Sequence, residues 1–140
     1  MDLLTRFRFA TGQGPVELEI VGGLLGHWAV WTRAAVGQLE RCQEIKASGK
    51  GTPDEVLTLA AEVTDSNAAF FDVANGFAGC IAGINEVLRR QGLMEGTWCL
   101  NPDEGLSPRQ IEEIDRIYAA YPHLNDDAFV AENRDRWLSA

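Results

Sequence analysis

The chain offers few residues able to do chemistry, and they are scattered. His27 and His123 are its only imidazoles, far apart in sequence and without carboxylates at a spacing that suggests zinc. His27 opens a bulky apolar run after a glycine-rich stretch, which makes it a candidate for touching a ligand, although a core position is the commoner fate of such a histidine. Lysine occurs twice, as Lys46 and Lys50, both at the polar end of a helical segment and its loop, where nothing would desolvate an amine into a nucleophile. Cys42, Cys80 and Cys99 are odd in number and form no C-x-x-C pair, which reads as reduced thiols in a cytoplasmic protein. Gly22-Gly23-Leu24-Leu25-Gly26 lacks the lysine and hydroxyl of a phosphate loop. The acidic pairs Glu112/Glu113 and Asp126/Asp127 fall in first turns of helices, where the helix dipole favours negative charge.

The elements that must position these residues begin with a strand. Arg6-Phe7-Arg8-Phe9-Ala10-Thr11 alternates polar and apolar residues and runs into the turn Gly12-Gln13-Gly14. Pro15 suits the first position of a helix carrying Val16, Leu18, Ile20 and Val21, and residues 27–31 suit a buried second strand. Strand, helix, strand in that order predicts a βα unit with parallel strands.

Everything downstream reads as helix. Thr32 caps a segment to about Ala47. Thr52-Pro53-Asp54-Glu55 is a capping box opening a second helix to about Ala74. A third carries Ile81, Ile84 and Leu88 and stops at Gly92, with Gly79 and Gly83 spaced for close packing against another helix. Ser107-Pro108-Arg109-Gln110 is a second capping box, and the helix it opens ends at Pro122. Asn125 or Asp126 caps a last helix with Phe129, Val130, Asn133 and Trp137.

The formal net charge of −9 argues against nucleic acid or an anionic membrane as partner. The most apolar run, residues 20–31, is about half the length needed to span a bilayer. The composition implies no cofactor.

Ile84-Asn85-Glu86-Val87-Leu88-Arg89-Arg90-Gln91-Gly92-Leu93 resembles the I-K-x-x-L-x-x-x-G-L helix end of the dihydrodipicolinate synthase/N-acetylneuraminate lyase family, with Asn85 in place of its lysine. Leu106-Ser107-Pro108 before an amphipathic helix is similar to that family's tail, and Thr11-Gly12-Gln13-Gly14 to its short turn after the seventh barrel strand. Gln13 and Gly14 depart there from carboxylates that some members use to hold substrate.

The resemblance implies an α/β origin with mostly α content. Residues 1–32 would be a partial segment supplying the last two strands of a (β/α)8 barrel and their connecting helix, and residues 33–140 a helical C-terminal region. It also implies that Thr11, Gly12, Gln13, Gly14 and His27 would contact a 2-oxo acid in a full-length context. The family's imine lysine and its tyrosine partner would lie on earlier strands, so this part would not be catalytic alone, because barrel sites draw on loops from several strands. Two readings follow. One is the C-terminal part of a Schiff-base lyase or aldolase that needs a missing N-terminal barrel piece. The other is a helical oligomerisation or interaction module without enzymatic activity; self-association through residues 7–31 is expected of the first reading, whose strand edges would lack their barrel neighbours.

Overall fold

The computed structural model describes residues 2–139. A short 3-10 turn, Asp2–Leu4, precedes an antiparallel hairpin of β1 (Arg6–Thr11) and β2 (Gly14–Glu19). A second 3-10 turn, Gly26–Ala29, leads into α1 (Thr32–Ser48), α2 (Asp54–Phe70), α3 (Cys80–Arg90), α4 (Gln110–Ala120) and α5 (Asp127–Leu138). The described residues are thus mostly helical, and their one sheet has two strands.

The expected βα unit does not form. Residues 15–21, read as a helix behind Pro15, are instead β2 and its exit: Val16, Leu18 and Ile20 alternate with Glu17 and Glu19, a period of two. Pro15 is compatible because it faces Ala10 at a position where no ladder bond from its nitrogen is required. Residues 27–31 are not a strand either. Trp31 donates its N–H to the His27 carbonyl at 2.7 Å in a tight turn that delivers Val30 and Trp31 to the helical core. The two strands pair antiparallel, and the parallel pair of a barrel is absent from the described residues.

Trp31 is wholly buried, with Phe70 against it edge-on at a ring-centroid separation of 4.8 Å and Tyr118 at 5.4 Å. Around them close Ala69 from α2, Val87 from α3, Ile114 and Ile117 from α4, and Leu124. With Leu59 and Val63 on α2, Ile84 and Leu88 on α3 and Tyr118 on α4, these positions recur at helical spacing, so α2, α3 and α4 each present an apolar stripe to a common centre. Burying such side chains contributes about 1.5–3 kcal/mol each before the entropy of ordering is charged against it.

Two helix ends show how local chemistry sets the frame. Gly92 takes a φ of +73° after α3, and the Leu93 and Gly92 amides donate to the Leu88 and Arg89 carbonyls, a Schellman arrangement that stops the helix. The expected close packing at Gly79 and Gly83 is also present: a Cβ on Gly83 would lie 2.1 Å from the Phe70 carbonyl oxygen.

Candidate functional site

Thr11, Gly12, Gln13 and Gly14 form the hairpin turn. The Thr11 hydroxyl donates to the Gly14 carbonyl at 2.6 Å and accepts the Gln13 N–H at 3.2 Å, while Gly14 adopts a φ of +113° that L side chains rarely tolerate. These bonds account for the residue types as turn chemistry. None of the four lines the two clefts described below, and His27, grouped with them by resemblance, is held elsewhere.

His27 is buried between α1 and α2. Its backbone N–H donates to Asn67 Oδ1 at 2.8 Å, and its Nε2 lies 2.9 Å from Gln38 Oε1. The neighbouring cleft, of about 280 Å³, is lined among others by Leu25, Gln38, Cys42, Thr64 and Asn67. Burial pushes the imidazole below its ordinary value, only partly opposed by the Gln38 bond. A neutral ring with Nε2–H toward Gln38 leaves Nδ1 as acceptor, and that atom is buried without a hydrogen-bond partner. The Cys42 thiol in the same cleft is pushed up by burial, the opposite of what a thiolate nucleophile needs. His27 is a core histidine in this arrangement.

A polar knot that sequence reasoning missed sits where α2 turns into α3. Asp72, buried and in the left-handed region at φ 56°, accepts the Asn75 side-chain amide at 2.7 Å, the Gly79 N–H at 2.9 Å and the Ser107 hydroxyl. Burial alone would raise its carboxyl, but the bonds from Ser107, Asn75 and Gly79 outweigh it and hold the group below the usual carboxylate range. Gln110 completes the knot: its amide donates to the Gly79 carbonyl at 3.0 Å, and its Oε1 accepts the Ser107 N–H at 3.0 Å. The segment Asp72-Val73-Ala74-Asn75-Gly76 carries the available signal, an Asp–Asn–Gly turn grammar.

A cleft of about 540 Å³ opens over this knot between Asp65, Asn75, Arg109 and Arg116. Its Asp65, Glu113 and Arg116 are already paired with one another. Arg116 grips Asp65 through two bonds of 2.8 and 2.9 Å and Glu113 through a third of 2.9 Å, and Tyr121 donates to Asp65 at 2.8 Å. The Arg116 guanidinium therefore holds the Asp65 carboxyl below its ordinary value. Glu86, almost wholly buried, is bound likewise by Arg89 and Arg90. The Arg116–Asp65 pair joins α4 to α2, whereas the Glu86 pairs lie within α3.

The hairpin is arranged differently. Its register sets Phe7 opposite Leu18 and Phe9 opposite Val16 on one face, and Arg6 opposite Glu19 and Arg8 opposite Glu17 on the other. The charged face closes on itself, with Arg6–Glu19 at 2.9 Å and Arg8–Glu17 at 2.6 Å, and Lys46 of α1 anchors Glu19 and the Leu3 carbonyl. The apolar face stays open: Phe9 is 51% and Leu18 57% exposed, and Val21, Leu24 and Leu25 farther along the chain are exposed as well. A contiguous apolar face of this kind marks an interaction surface more often than chance exposure.

Among the described residues no three His, Cys, Asp or Glu side chains are grouped to hold a metal, and no helix is long and apolar enough to cross a membrane. Compared with protein-family models, curated proteins and solved structures, the chain matches none.

Proposed function

We propose that this chain is a non-catalytic interaction module that associates with further copies of itself through its N-terminal hairpin. The observation that carries the reading is the register that gathers Phe7, Phe9, Val16 and Leu18 on one face, where Phe7 is half-buried and the other three are exposed. A two-stranded hairpin is marginal alone, and covering that face would stabilise it. The matched ion pairs and the buried His27 supply no nucleophile, base or oxyanion donor set that would favour an enzyme. The reading as part of a 2-oxo acid lyase barrel has less support, since an antiparallel hairpin stands where parallel strands would be needed and Lys46 is engaged by Glu19.

Sedimentation velocity across a concentration series tests the proposal. The wild-type chain is expected to associate, and the double variant Phe9→Lys, Leu18→Lys to remain monomeric with unchanged helical circular dichroism. A wild-type chain that stays monomeric at every concentration sinks it.

A further inference from the structure

The hairpin has two outer edges, and they are not equivalent. Ala10 faces Pro15, and proline has no N–H, so this is not a pair that exchanges ladder bonds. Alternation along an antiparallel ladder then assigns the bonded pairs to Phe7–Leu18, Phe9–Val16 and Thr11–Gly14. The remaining residues turn their backbone groups outward: Arg6, Arg8 and Ala10 on β1, and Pro15, Glu17 and Glu19 on β2. Pro15 interrupts the β2 edge with a missing donor. The β1 edge is intact, with three N–H and three C=O groups that have no backbone partner elsewhere among the described residues.

We infer that the β1 edge receives β1 of a second copy, antiparallel about a twofold axis at Arg8, to give one four-stranded sheet ordered β2–β1–β1–β2. The inference rests on the self-association reading and specifies its geometry. Only this register pairs all three outward residues at once, Arg6 with Ala10 of the other copy, Arg8 with its own equivalent, and Ala10 with Arg6, for six new backbone bonds. It also sets Phe7 of one copy directly opposite Phe9 of the other, in the close pair type where aromatic side chains interact best. The two open apolar faces thereby merge into one.

Charge selects a second copy as the occupant. Residues 5–31 hold two arginines and two glutamates and are neutral, so the other 10 basic and 19 acidic residues carry the whole net charge of −9. Two copies repel over most of their surfaces and meet without that penalty at the hairpin. The arginines that face each other on the axis are each already bound to Glu17, which removes most of their repulsion. A five-residue strand pair is small beside a standard interface, so the dimer is reversible and concentration-dependent.

Amide hydrogen exchange followed by NMR on the full chain, at concentrations below and above the association midpoint, tests this. Protection should appear at the outward amides of Arg6, Arg8 and Ala10 and not at those of Glu17 and Glu19. Ala10→Pro removes an outward donor without touching the hairpin's own ladder, and should weaken the dimer by about thirtyfold through two lost bonds per dimer. Unchanged protection of Phe7 and Phe9 in the monomeric variant would show that its hairpin is intact. Arg8→Cys should form a covalent dimer on oxidation, because bonded antiparallel partners lie at about 5.5 Å between Cα atoms, within disulfide range. A dimer that protects the β2 edge, or neither edge, overturns the inference while leaving self-association standing. A chain that never dimerises defeats both.

Discussion

A Cβ placed on Gly83 would lie 2.1 Å from the carbonyl oxygen of Phe70 and 2.4 Å from Nε2 of Gln110, so α3 meets the end of α2 backbone to backbone with no room for a methyl group. The atom in the way is backbone, which cannot swing aside as a flexible side chain would. Gly83 is therefore fixed by space rather than by dihedral angle.

Gly83→Ala is expected to destabilise the fold by about 1–3 kcal/mol through overpacking, despite alanine's better helix propensity. Urea unfolding gives the answer directly. A variant as stable as wild type would mean that the two helices sit further apart.

The two capping-box hydroxyls should behave unequally. Ser107 donates to the buried carboxylate of Asp72, so Ser107→Ala removes a hydrogen bond to a charged group and costs about 1.5–3 kcal/mol. Thr52 precedes α2, whose N-cap position is occupied by Pro53, and no side-chain cap bond forms there. Thr52→Ala should then stay within about 0.5 kcal/mol of wild type. Equal losses in parallel denaturation curves would contradict this account.

His27 makes stability depend on pH. Its folded pKa is lowered by burial, so the unfolded chain binds the proton more tightly. Stability from the neutral ring is therefore complete above the unfolded value of about 6.5 and is lost as the pH falls below it toward the folded value. Melting temperature should drop through that window, and His27→Gln should flatten the drop. A slope unchanged in the variant would assign the titration to another group.

Asp126 slopes the other way. Burial raises its carboxyl above the ordinary value despite bonds from the Arg33 backbone N–H and Gln91. The folded chain therefore holds that proton more tightly than the unfolded chain. Stability from this group is fully present below about pH 4 and diminishes as the pH rises through the folded value. Asp126→Asn should reduce that dependence while keeping an oxygen for the Arg33 amide. Asp126→Ala should cost about 1–2 kcal/mol at neutral pH by uncapping α1. Matched pH–stability profiles of the three proteins decide it.

Helix positions are legible in this sequence because their apolar spacing and glycine stops are local. Gly92 ends α3 and Gly79 and Gly83 pack closely, as their placement indicates. Capping is less legible, because hydroxyls and carboxylates choose partners by tertiary proximity. Ser107 turns to Asp72, Thr32 donates to the Trp28 carbonyl, and α1 is capped from outside. The hairpin is obscured by Pro15, which suits both a helix start and an outward edge position; the alternation from Val16 to Ile20 carries the deciding information. Of the residues singled out for ligand contact, Thr11 to Gly14 serve a turn, and His27 serves the core.

The bond from the Arg33 amide to Asp126 spans 93 residues, 2.9 Å long, and joins the beginning of the first helix to the beginning of the last. During synthesis the ribosome releases α1 well before it adds Asp126, and Trp31 waits equally long for Ile114, Ile117 and Leu124. The nascent chain therefore carries an uncapped helix, and an indole covered only by α2 and α3, until α4 and Asp126 have been made, and closure comes as a concerted event rather than helix by helix. Arrested chains that stop before Leu124 are expected to be protease-sensitive throughout α1. Chains extended far enough to free Asp126 from the exit tunnel should become resistant in a single step.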